Sequence, residues 1–285
     1  MNVVTSRREL ASLVFENKKQ GKSIGFVPTM GYLHEGHLTL AKAAREQNDL
    51  VVMSIFVNPL QFGPGEDFES YPRDTERDTA LAESAGVDCL FIPSVEEMYP
   101  NPLSLDIKVI ERVDVLCGKK RPGHFDGVAA VLIKLFNLVM PNRAYFGLKD
   151  AQQVAVIHGI VDDLFFPIEI VEIPTVREED GLAKSSRNVR LSEKERKDAS
   201  ELYQALKKAQ EAVAEGEKST AKIEELVKSH ISMSTNGKID YVEIYAYPSL
   251  KPIDFFDIRG KAIIAIAVQF EKARLIDNLI LNMDF

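Results

Sequence analysis

The chain has 285 residues, 45% of them hydrophobic and 27% charged, the composition of an ordinary globular protein with length for two domains and sizeable cores. Its 43 acidic residues against 35 basic ones leave a net charge of −8, which argues against a broad nucleic-acid-binding face and still permits a local basic pocket for phosphate. No apolar run approaches the roughly 18 residues of a membrane-spanning helix. Met1 to Leu10 hold no basic region followed by an apolar stretch, so no secretory leader is expected. The two cysteines, Cys89 and Cys117, form no C-x-x-C pair. They suit neither a disulfide scaffold nor a thiolate zinc site, and a cytoplasmic setting is expected.

In chain order, Ser23 to Val27 reads as a buried strand that stops at Pro28, and Leu38 to Gln47 as a helix. Leu50 to Val57 is a nearly continuous apolar strand ending at Asn58-Pro59. Asp74 to Ala85 reads as helical, Cys89 to Ile92 as a third strand, and Val128 to Met140 as a strongly apolar helix. Ala144 to Phe146 is a short strand, Ala151 to Leu164 a helix and Ile168 to Ile173 a strand. Strands apolar on both faces and alternating with helices indicate a parallel sheet covered on both sides. Beyond about residue 175 the pattern changes. Ser192 to Gly216 and Ser219 to His230 read as charged amphipathic helices; Ile239 to Tyr245, Ala262 to Val268 and Leu275 to Leu281 read as strands. The expected fold class is α/β: a Rossmann-like parallel sheet in an N-terminal domain, residues 1–175, and a smaller α+β C-terminal domain, residues 176–285. Val176 to Gly181 is the expected hinge.

Open sheets of this kind bind ligands beyond the carboxyl ends of their strands, where the chemically distinctive residues fall. After the first strand comes Pro28-Thr29-Met30-Gly31-Tyr32-Leu33-His34-Glu35-Gly36-His37. Two histidines three apart at a helix start share a face, and the free N–H groups there suit phosphate. Histidines that merely complete a loop's hydrogen bonds are the alternative. Zinc fits poorly: the spacing is not H-E-x-x-H and no third ligand stands out. After the second strand, Asn58 and Gln61 offer neutral donors and acceptors for hydroxyls and carboxylates, or serve the turn. The stretch from Asp67 to Asp74 is followed by Asp78, which reads either as a Mg²⁺-associated carboxylate or, better from spacing alone, as part of a solvated helix face. Arg121-Pro122-Gly123-His124-Phe125-Asp126-Gly127 leads into the apolar helix. Lys149 follows a strand, where a cation can reach a triphosphate; Lys149-Asp150 can equally be a weak surface pair. Lys184-Ser185-Ser186-Arg187 forms a polar loop suited to phosphate oxygens, or an approach to the capping box Ser192-x-x-Glu195.

The H-x-G-H pattern after a first strand resembles the signature of the nucleotidylyltransferase superfamily. Six blocks in order carry a narrower likeness: Pro28 to His37, Phe56 to Gly63, Tyr71 to Asp74, Arg121 to Val128, Phe146 to Gln153 and Ala183 to Asn188. Together with the tail Arg274-Leu275-Ile276-Asp277-Asn278, they resemble the pantothenate synthetase (pantoate–β-alanine ligase) family over nearly the whole chain.

The resemblance implies that pantoate's carboxylate attacks the α-phosphate of ATP, giving pantoyl adenylate and pyrophosphate, and that β-alanine's amine then displaces AMP. It implies catalytic roles for His37, His34 and Lys149. It places ATP against Met30, Gly31, Tyr32, Leu33, His34, Glu35, Gly36 and His37, and against Gly147, Leu148, Lys149, Asp150 and Val176, with Lys184, Ser185, Ser186 and Arg187 closing over phosphate from a C-terminal lid. It places pantoate against Gln61 and Gln153, β-alanine against Gln61 and Asn58, and Mg²⁺ near Asp78. A cytoplasmic homodimer without nucleic-acid or membrane partners is the implied setting. Three departures from the family pattern stand out: Cys117 where Glu is common, Lys184 where Met or Leu is common, and Glu271 with Ala273 in place of Gly and Thr. The rival readings are another nucleotidylyltransferase, which would need more Arg or Lys near Gln61, and a non-catalytic nucleotide-binding regulator, which would tolerate loss of His34 or His37. A tRNA synthetase fragment would need a basic RNA-binding face.

Overall fold

A run such as Leu50–Ile55 has no polar face to turn to water, so it needs a sheet covered on both sides. The computed structural model, which describes residues 1–66, 68–257 and 259–283, buries every residue of that run. Among the described residues the first sheet has six strands: β1 (Asn2–Val4), β2 (Ile24–Thr29), β3 (Leu50–Ile55), β4 (Cys89–Phe91), β5 (Arg143–Gly147) and β6 (Glu169–Ile173). Their order is β1-β4-β3-β2-β5-β6, with every pairing parallel. The connections carry α1 (Arg7–Lys19), α2 (Glu35–Gln47), α3 (Thr75–Ser84), α4 (Val95–Met98), α5 (His124–Val139) and α6 (Ala151–Asp163). This is the expected Rossmann-like α/β sheet. Successive strands step outward on one side of β2 and then on the other, so the order reverses between β2 and β5. That reversal opens a crevice beyond the carboxyl ends of those two strands.

A second sheet is antiparallel in chain order: β7 (Lys238–Tyr247), β8 (Gly260–Gln269) and β9 (Arg274–Met283). The helices α7 (Glu193–Ala214) and α8 (Thr220–Ser234) pack on it. Leu202, Leu206, Val227 and Ile231 meet Val242, Ile264 and Ile266 in its core. Ser192 and Glu195 form the expected capping box at the head of α7. The chain divides into two compact units: Met1–Val113, Gly118–Leu148 and Val156–Pro174 in the first, Asp114–Cys117, Lys149–Ala155 and Thr175–Phe285 in the second.

Several element readings need correction. Strand β1 and helix α1 lie ahead of Ser23, before the first element expected from the sequence pattern. Strand β2 runs through Pro28 to Thr29. Phe56 N–H donates to the Thr29 carbonyl at 3.0 Å, so Thr29 faces β3 and Pro28's nitrogen faces β5. Strand β5 pairs only with Gly25 and Phe26, so the missing N–H of Pro28 leaves no gap in the ladder. Helices α2 and α5 begin three and four residues earlier than expected, at Glu35 and His124, because their first turns hold His, Gly and an acidic residue in place of the aliphatic pattern that marks the helix body. The stretch 176–181, read from sequence as the hinge, has regular local structure. Val176 O accepts from Lys184 N at 2.9 Å, Arg177 bridges Ala183, and Gly181 turns at φ 92°, so it forms one arm of a tight hairpin.

Candidate active site

The loop after β2 is held from below by one buried carboxylate. Asp78, at the start of α3, is 1% exposed. Its two oxygens accept the backbone N–H groups of Tyr32 at 2.6 Å and Leu33 at 2.7 Å. It is therefore not the solvated helix-face residue its spacing suggests. Thr29 Oγ1 accepts from Gly31 N–H at 3.2 Å and donates to the Ser54 carbonyl at 2.7 Å. Gly31 sits at φ 85°, and a Cβ there would come within 2.8 Å of Ile55 Cγ2, so the chain turns here only because the residue is glycine. Leu33 buries its side chain completely in the core, which leaves only backbone for a ligand. Tyr32 is half-buried under the Arg77 guanidinium, 5.2 Å from its ring centroid. Met30 meets Gln61, as described below.

The loop delivers His34 and His37 to the head of α2. His34 is the N-cap: its Nδ1 accepts the Gly36 N–H at 3.1 Å, and His37 Nδ1 accepts the His34 N–H at 3.3 Å. An imidazole that accepts on Nδ1 carries its neutral-state proton on Nε2. Both rings are thus set in one tautomer, 4.1 Å apart between centroids, with Nε2–H as the donor. Glu35 is exposed and Gly36 half-buried beside them. This geometry joins two imidazole donors to the N-terminal N–H groups of a helix, an arrangement that stabilises developing negative charge on phosphate.

Gln61 ends the short 3-10 turn Pro59–Gln61 after β3 and is 8% exposed. Its main-chain carbonyl lies 2.7 Å from His124 Nδ1, and its Nε2 lies 2.9 Å from Met30 Sδ. A carbonyl only accepts, so His124 carries its proton on Nδ1; its Nε2 then accepts from Arg121 Nη1 at 3.0 Å. Arg121 in turn pairs with Glu66, and the Glu66 carboxyl is held below the ordinary glutamate range by that hydrogen bond. Asn58 is 1% exposed. Its Oδ1 accepts from Leu60 N–H at 3.3 Å and Tyr99 O–H at 2.9 Å. Its Nδ2 donates to the Gly127 carbonyl at 2.9 Å and Gln61 Oε1 at 3.3 Å. Two bonds accepted and two donated saturate a carboxamide. Asp67 lies outside the described residues.

Gly147 ends β5 and Leu148 follows it, both in the first unit. The remaining expected residues belong to the second unit. There the Lys149 ammonium stands 3.9 Å from the Asp150 carboxylate, and Asn278 Nδ2 donates to the Lys149 carbonyl at 3.0 Å. Gln153 is half-buried on α6. Ser185 caps a 3-10 turn by accepting the Arg187 N–H at 3.2 Å, and Lys184, Ser186 and Arg187 are half-buried on the same loop. The base of the hairpin is clamped by Arg177, which grips Asp277 with two bonds of 2.7 and 2.9 Å and lies 3.8 Å from the Tyr203 ring centroid. The tail residues Asp277 and Asn278 therefore anchor Arg177 and Lys149. Nothing local in the sequence ties them to those partners, which are 100 and 129 residues away. Cys117, at the position where an acid is common, lies 3.3 Å from Tyr241 Oη and 3.4 Å from Arg274 Nη1; Arg274 finds its counter-charge in Asp240 at 2.7 Å.

No group of three or more His, Cys, Asp or Glu side chains among the described residues could hold a metal ion. Asp78, with an amide hydrogen bond on each oxygen, does not fit a resident Mg²⁺ site, which needs carboxylate oxygens turned to the ion and its waters. No helix among the described residues is long and apolar enough to cross a membrane.

A family model described as pantoate-beta-alanine ligase matches residues 2–280. A pantothenate synthetase of Bacillus pumilus (strain SAFR-032) is 64% identical, over 99% of this chain and 97% of its own. One from Bacillus subtilis (strain 168) is 59% identical, over 99% and 98%. A crystal structure of pantothenate synthetase from Thermus thermophilus superposes with a TM-score of 0.91 at 48% identity, covering 98% of this chain and 99% of that one. A Francisella tularensis pantoate-beta-alanine ligase, solved with beta-gamma ATP and β-alanine, superposes at 0.78 with 34% identity, covering 98% and 97%.

Proposed function

The chain belongs to the pantoate–β-alanine ligase family and is an ATP-dependent ligase of pantoate and β-alanine, and we propose that it works through a pantoyl-adenylate intermediate. A carboxylate is a poor electrophile, so it must be activated before an amine can form an amide with it. In the first step a pantoate carboxylate oxygen bonds to the α-phosphorus of ATP as the bond to pyrophosphate breaks. In the second, β-alanine's amine attacks the acyl carbon. AMP leaves with the oxygen that had bridged carbon and phosphorus, and the amine gives up a proton.

The observation that carries this reading is the pair of imidazoles fixed at the head of α2 with Nε2–H as donor. His34 and His37 stabilise charge on the α-phosphate and the departing pyrophosphate, and His37 is the residue assigned to the leaving group. The backbone of Met30 to Leu33 and Glu35 to Gly36 serves ATP, as do Gly147, Leu148, Asp150 and Val176. Lys149, Lys184 and Arg187 bring cations to the phosphates, with Ser185 and Ser186 beside them. Gln61 and Gln153 bind pantoate, and Gln61 also serves the β-alanine position. Mg²⁺ would enter with ATP as part of the substrate, because Asp78 is committed to loop amides and would not hold it. We assign the enzyme to the cytoplasm as a homodimer, a state that light scattering on the eluting protein would test.

Pyrophosphate release tests the route. With MgATP and pantoate alone, one equivalent per active site should appear in a burst, followed by steady release once β-alanine is added. Release that begins only with both substrates present would argue for a concerted reaction.

A further inference from the structure

Gln61 can turn either its oxygen or its nitrogen toward a ligand, and the protein around it settles which. Asn58 touches one obligate acceptor, the Gly127 carbonyl, and one obligate donor, the Leu60 N–H. The atom facing the carbonyl must be Nδ2 and the atom facing the amide must be Oδ1. Gln61 then meets an N–H of Asn58 and must answer with Oε1. Its Nε2 is left on the Met30 side of the carboxamide, so the group it offers a substrate is a donor.

Asn58 Oδ1 has a second lone pair, and Tyr99 fills it. Tyr99 directly follows α4, and its hydroxyl stands 2.9 Å from Asn58 Oδ1. Facing an oxygen that only accepts, the phenol must donate. Its ring is held between Phe56, 6.1 Å between centroids, and the Lys134 ammonium, 5.1 Å from the ring centroid. Lys134 is itself tied to the Met98 carbonyl at 3.0 Å. Burial pushes the phenol's ionisation above the ordinary tyrosine range, so it remains a donor across the working pH range.

We propose that Tyr99 is a positioning residue for the ligation: through Asn58 it fixes the carboxamide of Gln61 with the N–H₂ side toward the substrate, selecting an acceptor group such as a hydroxyl or carboxylate oxygen of pantoate. This makes Asn58, whose four bonds all go to protein, a part of the same relay in place of the direct β-alanine contact expected of it. The proposal rests on the reading of Gln61 as a pantoate contact.

The test is a double-mutant cycle in the full-length enzyme. Tyr99→Phe keeps the ring and its neighbours and removes only the donor. It should raise the KM for pantoate about three- to tenfold, the value of one such hydrogen bond, and leave the KM for ATP and the melting temperature near those of the parent. In a Gln61→Ala background the same change should have no further effect on the pantoate KM. If Tyr99→Phe still raises that KM by its full factor in the Gln61→Ala background, Tyr99 acts by another path and the relay is wrong. If Gln61→Ala raises the KM and Tyr99→Phe alone does not, the relay fails while the Gln61 contact stands. If Gln61→Ala itself leaves the pantoate KM unchanged, the Gln61 contact falls and takes the relay with it.

Discussion

A neutral imidazole has two tautomers, and a backbone N–H pointed at Nδ1 leaves only one of them. His34 and His37 each receive such a bond, so Nδ1 of each ring serves the helix head and leaves Nε2–H as the donor that the proposed mechanism uses. His37→Ala should lower turnover by about 10²–10³, the usual cost of one preorganised donor to a transition-state charge, while the ATP dissociation constant changes little. Near-normal turnover in that variant would remove the assigned role. The two histidines were legible from spacing and position. Asp78 was not: its partners lie 45 and 46 residues earlier, and only its neighbours along α3 could be weighed. Asp78→Ala strips acceptors from two amides and should cost about 1–3 kcal/mol of stability for each one left unsatisfied, read as a lowered urea midpoint. A midpoint equal to the parent's would show that the loop stands without it. Asn58 was singled out, but its partners Gly127 and Tyr99 were hidden for the same reason: a saturated carboxamide is a fact of tertiary contact.

At the level of elements, hydrophobic period carried most of the information. The nearly continuous apolar run of β3 announced a covered parallel sheet, and two amphipathic helices followed by three strands announced a separate small α+β unit. The edges of elements were harder, because polar caps and first turns look like loop. A usable signal was present for α1, where Ser6 accepts the Glu9 N–H at 3.1 Å in an S-x-x-E pattern, though its helix buries only Leu10 and Val14. The placement of the turn that carries Gln61 depends on close approach by α5. A Cβ on Gly127 would fall 2.2 Å from the Leu60 carbonyl oxygen, and backbone cannot yield as a side-chain end can. Gly127→Ala should therefore push the Pro59–Gln61 turn away, costing about 1–3 kcal/mol from overpacking and raising the pantoate KM. A variant with both properties intact would mean that α5 does not fix this turn.

For the molecule as a whole, the two compact units interleave along the chain, with Asp114–Cys117 and Lys149–Ala155 grouped with the C-terminal residues. Within that unit Leu116 N–H donates to Glu243 and the Lys149 carbonyl accepts from Asn278. A single cut near residue 175 severs those ties, so a fragment of residues 1–175 should melt non-cooperatively; a sharp two-state transition would contradict this. Stability should also decline in acid through the Glu66–Arg121 pair. The folded chain binds the Glu66 proton less readily than the unfolded chain, so the contribution is complete above about pH 5 and is lost as pH falls through the depressed folded value. Glu66→Gln should flatten that part of the profile, by a modest amount because the pair is partly exposed. An unchanged acid limb would assign the loss to other carboxylates.

The adenylate route is tested most directly by the fate of pantoate's carboxylate oxygen. Pantoate carrying ¹⁸O in its carboxylate, turned over with MgATP and β-alanine, should deliver one heavy oxygen to AMP, because the bridging oxygen leaves with phosphorus. AMP without the label, and the label instead in pyrophosphate, inorganic phosphate or water, would contradict attack of the carboxylate on the α-phosphate and the roles assigned to His34 and His37 with it.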